Sequence, residues 1–209
     1  MFWFLAFAIA WAITIPLATN QLGYTHIPGL RFQFAFLIGF APAIAALIAA
    51  AFDRSFKEYW RTAWNPRAPI WLYLFALTLP ALFLAAPFVW AAVQHKAPPQ
   101  LELDASIAIF AALWFVLALG EELGWRGFLF PRLLHRYGLV GSAVIVGVIW
   151  GFWHLPADFV GLKGYGPWWF WLAFLLNGPI VLTAHALIMA WLWRRSGANL
   201  LLMVIYHWS

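Results

Sequence analysis

Apolar residues along this chain fall in long runs, cut by short polar or Pro/Gly stretches, and most runs have membrane-crossing length. The first covers residues 2–18 and ends in Thr19-Asn20-Gln21. Others cover 32–52, 70–93, 105–136, 139–155 and 168–193, and a last begins near 198 and is cut off at Ser209. Proline marks the expected bends: Pro80 and Pro87 in the third run, Asn177-Gly178-Pro179 in the sixth. Residues 53–69 differ, mixing Asp53, Arg54, Lys57, Glu58, Arg61 and Arg67 with Tyr59, Trp60 and Trp64, a blend suited to a loop or short helix lying on the membrane surface. The pattern predicts an all-α, polytopic transmembrane helical bundle of about seven spans, the last one truncated. No internal repeat or low-complexity linker divides the chain, so one integral membrane domain is expected.

Composition narrows the class. The 209 residues are 66% hydrophobic and only 9% charged, and mean hydropathy is +0.85, which excludes an ordinary soluble domain. An aromatic content of 20% excludes intrinsic disorder. The net charge of +5 does not point to nucleic acid, because the basic residues are scattered along the chain. Alternate loops carry eight of them (Arg54, Lys57, Arg61, Arg67, Arg132, Arg136, Arg194, Arg195) against three in the others (Arg31, Lys96, Lys163), with Arg126 inside a span. The positive-inside rule then puts the N-terminus and the richer loops in the cytoplasm. The N-terminus lacks the basic stretch of a cleaved signal peptide, which predicts a retained first helix. With no cysteine, thiolate chemistry and disulfides are out. The sixteen tryptophans suit interfacial belts.

The candidate chemistry lies in Gly120-Glu121-Glu122-Leu123-Gly124-Trp125-Arg126-Gly127. Each ionisable residue in such a helix costs roughly 2.5–3.5 kcal/mol on insertion scales. Glu122 and Arg126 are i and i+4, so they share a face and are expected to pair. Glu121 lies about 100° around the helix and finds no such neighbour in sequence, which leaves it free for function. His154 closes the fifth run in Trp150-Gly151-Phe152-Trp153-His154, and His207 lies in the last run. Glu121 and His154 each stand about 24 Å along their helices from a turn at residues 137–138, and His207 about 18 Å beyond Arg195. The three therefore fall in one layer. Two imidazoles and a carboxylate can hold a metal with an open water position, or activate water without one, with Glu121 as base and the histidines against an oxyanion. His26 and His95 fall in loops, His135 at an interface, and His185 mid-span, where a packing hydrogen bond is expected.

Glu121-Glu122-x-x-x-Arg126, then Trp150-x-x-x-His154, then the late His207, resembles the CPBP family: CAAX-processing and bacteriocin-immunity-type (Abi) intramembrane endopeptidases. The resemblance covers about residues 105–209, as catalytic helices, while 1–104 match only as N-terminal transmembrane helices. It implies that Glu121 activates the attacking water, that His154 and His207 bind a metal (with Glu121, zinc) or stabilise the oxyanion, and that Glu122 and Arg126 brace the site. The implied substrate is a membrane-associated or lipidated protein or peptide. The family's usual Phe is Trp150 here, and its last motif continues to an Asn at what would be position 211, beyond Ser209. Other intramembrane proteases lack their marks, since there is no His-Glu-x-x-His and no Gly-x-Gly-Asp, and Ser142 starts a helix far from any histidine at its depth. The alternatives are a non-catalytic scaffold or bacteriocin-immunity factor, and after it a transporter moving protons through Glu121. A compact, Cys-free chain suggests a bacterial inner membrane.

Overall fold

The computed structural model describes residues 1–57, 59, 67–98, 105–162, 164 and 166–209. The expectations for Glu58, Trp60, Arg61, Trp64 and Lys163 lie outside them. Among the described residues every regular element is a helix. Helix α1 spans Phe2–Gln21, and a 3-10 helix at Phe32–Phe40 leads into α2 at Ala41–Phe52. Then follow α3 (Ile70–Leu84), α4 (Ala86–Val93), α5 (Ala105–Gly124), a π-helical turn at Trp125–Leu129 and α6 (Phe130–Trp153). After α7 (Leu155–Leu162) and α8 (Pro167–Leu175), a second π turn at Leu176–Ile180 enters α9 (Val181–Arg195), and α10 (Leu200–Trp208) ends the chain.

Four stretches are long and apolar enough to cross a membrane: Phe2–Gln21, Phe32–Phe52, Ser106–Trp153 and Pro167–Arg195. This is fewer than the about seven spans expected, for two physical reasons. The expected fourth and fifth spans form one 48-residue helical run that breaks at Gly138, whose φ of 64° is open to glycine without strain. The third and last spans are short, Ile70–Leu84 carrying Pro80 inside it and Leu200–Trp208 running to the chain end. The break at Gly138 folds the run back on itself. Glu121 and Trp150 would stand about 44 Å apart on a straight helix, yet their side chains touch.

With lipid outside and protein inside equally apolar, helices associate here through close packing of small residues and buried polar contacts. The buried side of α2 is Ala45, Ala46, Ala49 and Ala50, and α2 packs on α1 and α5. Tryptophan supplies the long reach: Trp153 Nε1 donates to the Ala6 carbonyl (3.1 Å) and Trp11 Nε1 to the Trp153 carbonyl (3.1 Å), tying α1 to the end of α6. Asn199 caps α10 by accepting from the Leu202 amide (3.0 Å) and donates to the Tyr73 hydroxyl of α3 (2.7 Å). The closest approach is α6 on the second π turn, where a Cβ at Gly151 would collide with the Pro179 backbone.

That contact makes a stability prediction. Gly151→Ala should destabilise by about 1–3 kcal/mol, the cost of overpacking, seen as a lower thermal midpoint in detergent. Gly161→Ala, where a Cβ meets nothing within 4 Å, should leave the midpoint unchanged.

Candidate active site

The polar centre is built where α5, α6 and α10 face one another. Glu122 is fully buried at 0% exposure, and its Oε1 accepts from Arg126 Nη1 at 2.8 Å. The expected i, i+4 pair is present, with Arg126 inside the π turn and only 2% exposed. The same oxygen also meets His207 Nδ1 at 2.9 Å, so the late histidine is anchored on the bracing carboxylate. With Nδ1–H donated there, Nε2 is the ring nitrogen left for the cavity that His207 lines.

Glu121 is 8% exposed and is not the unpartnered carboxylate its helix neighbours suggest. Its Oε2 accepts from Trp150 Nε1 at 2.7 Å, a donor 29 positions away on α6. Local spacing cannot show a partner brought by a chain reversal. Oε1 is left for other contacts. Trp150 does more than donate. Its ring lies 4.5 Å from the Arg126 guanidinium carbon and meets the His207 ring edge-on at 5.0 Å. Its carbonyl stands 3.0 Å from His154 Nδ1. A carbonyl only accepts, so Nδ1 carries the proton and Nε2 is the free position of His154.

Glu121, His154 and His207 together line two cavities, of about 310 Å³ and about 130 Å³. The smaller is otherwise apolar, walled by the 3-10 helix and α5, with Phe36, Ile38 and Leu117. The larger reaches α7, α9 and the second π turn, adding Asp158, Asn177, His185 and Tyr206. Asp158 was not singled out from the sequence. It sits one helical turn after His154, and burial raises its carboxyl above the usual range while the nearby His154 pulls it back. His185 Nδ1 pairs with the Tyr206 hydroxyl at 2.8 Å, the hydrogen bond between helices expected of a mid-span histidine. His26 and His95 are exposed, and His135 is surface-exposed on α6.

In kind, two imidazoles with Nδ1 tied to oxygen and a neighbouring carboxylate resemble zinc donors. In placement they do not gather: among the described residues no three of His, Cys, Asp or Glu are grouped to hold a metal ion. The arrangement instead offers a carboxylate with one oxygen fixed and one available. Beside it stand two imidazoles with defined free nitrogens, in a low-dielectric pocket where such interactions are strong.

Comparison with known proteins bears on the same half of the chain. Over an alignment of 144 residues it is 26% identical to a protein from Methanococcus maripaludis named CAAX prenyl protease 2. The alignment covers 66% of this chain and 51% of that relative, so the chain spans about half the length of the curated relative it matches. Residues 103–209, slightly more than half of the chain, match the family described as Type II CAAX prenyl endopeptidase Rce1-like. These residues carry Glu121, Glu122, Arg126, Trp150, His154 and His207, and by that match the chain belongs to the Rce1-like type II CAAX prenyl endopeptidase family.

Proposed function

We propose that this protein is an intramembrane endopeptidase that hydrolyses a peptide bond in a membrane-associated or lipidated protein or peptide. The observation that carries this reading is the placement of Glu121, His154 and His207 on the wall of one cavity between apolar helices. Membership of the family supports it.

The chemistry follows from the atoms available. A water in the cavity gives a proton to Oε1 of Glu121 as its oxygen attacks the scissile carbonyl carbon. The carbonyl becomes an oxyanion, and imidazole N–H groups stabilise it: His207, braced through Nδ1 by Glu122, donates from Nε2 in its protonated form. His154, with Nδ1–H on the Trp150 carbonyl, has Nε2 to orient the water or the substrate. The tetrahedral species collapses as the C–N bond breaks, and Glu121 returns its proton to the leaving amine. Glu122 and Arg126 keep their positions throughout. No step passes through a metal, because the donors do not gather around one point.

The protein is read as integral to the membrane with about seven crossings, its N-terminus cytoplasmic, in a bacterial inner membrane. Residues 105–209 hold the site and 1–104 wrap it. The apolar smaller cavity suits a hydrophobic side chain or lipid-bearing segment on one flank of the scissile bond.

Glu121→Gln should lower cleavage of a lipidated peptide about 10²–10⁴-fold, the worth of a general base, while expression and thermal midpoint hold. Equal turnover in that variant would refute the assignment. A scaffold or immunity factor would bind the peptide without turnover in the wild type too. His154→Ala should also abolish cleavage in isolated membranes. Indifference to a chelator is expected, whereas loss with chelator and recovery with zinc would overturn the metal-free route.

A further inference from the structure

The hydrolysis derived above uses Glu121, His154 and His207 directly and leaves one residue unassigned that touches all of their supports. Trp150 is buried at 4% exposure on α6, and each of its parts meets a different site group. The indole N–H donates to Glu121 Oε2, the backbone carbonyl meets His154 Nδ1, and the ring packs on His207 and lies over Arg126.

Packing alone would account for the ring contacts, because any large aromatic side chain fills that space. It does not account for the N–H. A buried indole N–H needs an acceptor, and backbone carbonyls supply it at Trp11, Trp153 and Trp208. At Trp150 the acceptor is the carboxylate proposed as the base, at 2.7 Å. A donor to an ionised oxygen in a low-dielectric site is among the stronger hydrogen bonds. It removes one of the two equivalent oxygens from competition and fixes the plane of the carboxyl group. Without it, the carboxylate rotates about its terminal torsion, which has broad and shallow minima.

We propose that Trp150 is the positioning residue of this site: its indole N–H holds Glu121 by Oε2, so that Oε1 is the oxygen presented to water. The inference rests on the endopeptidase reading for its assay but not for its geometry. The same side chain that orients the base also sets, through its carbonyl, the ring of His154, so one residue on α6 keeps two reacting groups in mutual register. The placement of α6 that makes this possible is the close contact of the adjacent Gly151 with Pro179.

The test separates the N–H from the ring. Benzothienylalanine at position 150, introduced by codon suppression, keeps the bicyclic ring and replaces N–H by sulfur. Its kcat should fall at least about tenfold, the worth of a hydrogen bond to a charged group, with KM within twofold and the thermal midpoint unchanged. Trp150→Phe should show the same split between kcat and KM. A 5-fluorotryptophan at 150, which keeps the N–H, should restore kcat to within twofold of wild type. Unchanged kcat in the benzothienylalanine protein would overturn the proposal, as would a loss appearing in KM alone or tracking a lowered midpoint. These outcomes are distinct from failure of the endopeptidase reading, which would show as wild-type protein without activity or Glu121→Gln with full activity.

Discussion

Two adjacent carboxylates in an apolar bundle are the constraint on which the rest of the structure depends. Neither tolerates burial unless something holds its charge, and the two are satisfied in opposite ways. Glu122 takes two cationic or polar donors on a single oxygen, one from its own helix and one from the end of the chain. Glu121 takes a neutral N–H from a helix that reaches it only after a full reversal. The bundle therefore has to bring α5, α6 and α10 together at one depth, and the small residues at its contacts permit that closeness. Removing a single partner of a buried ion pair leaves an uncompensated charge and costs about 3–5 kcal/mol, so the packing and the polar centre stabilise each other.

How much of this is legible in sequence varies with the range of the interaction. The helical class, the apolar runs and the Glu122–Arg126 pair follow from periodicities of a few residues. The shared layer of Glu121, His154 and His207 follows from counting residues from turns, because an α-helix rises by a fixed step. The sequence is silent wherever two distant segments meet. Nothing in Glu121 and its neighbours indicates Trp150, and nothing in His185 indicates Tyr206. The span count fails for a related reason: Gly138 ends one crossing and begins another without a polar loop, so a rule based on punctuation and one based on helix continuity divide the same residues differently. Asp158 escapes notice because a lone acidic residue in a short helix after a proline reads as surface.

The site also shows how few kinds of contact suffice. Each histidine has one ring nitrogen fixed by an oxygen acceptor, which defines the tautomer and leaves the other for chemistry. The cavities on either side differ in character, one apolar and one edged with polar groups, while sharing the same reactive wall. An extended peptide held across that wall would have different surroundings on the two sides of its scissile bond.

The π turn at Trp125–Leu129 has a consequence for how the gene can vary. A π turn accommodates one residue more than the α-helical repeat, so it sets the rotational phase between Glu121 and Glu122 before it and the α6 residues after it. Deleting one residue there lets the segment revert to regular α-helix with its hydrogen bonds intact. The two halves would then be turned by about 100° relative to each other, carrying the carboxylates away from Trp150 and His207. Side-chain changes in this stretch alter packing, whereas a change in its length alters which way the site faces, so length is the stricter of the two constraints on this part of the coding sequence.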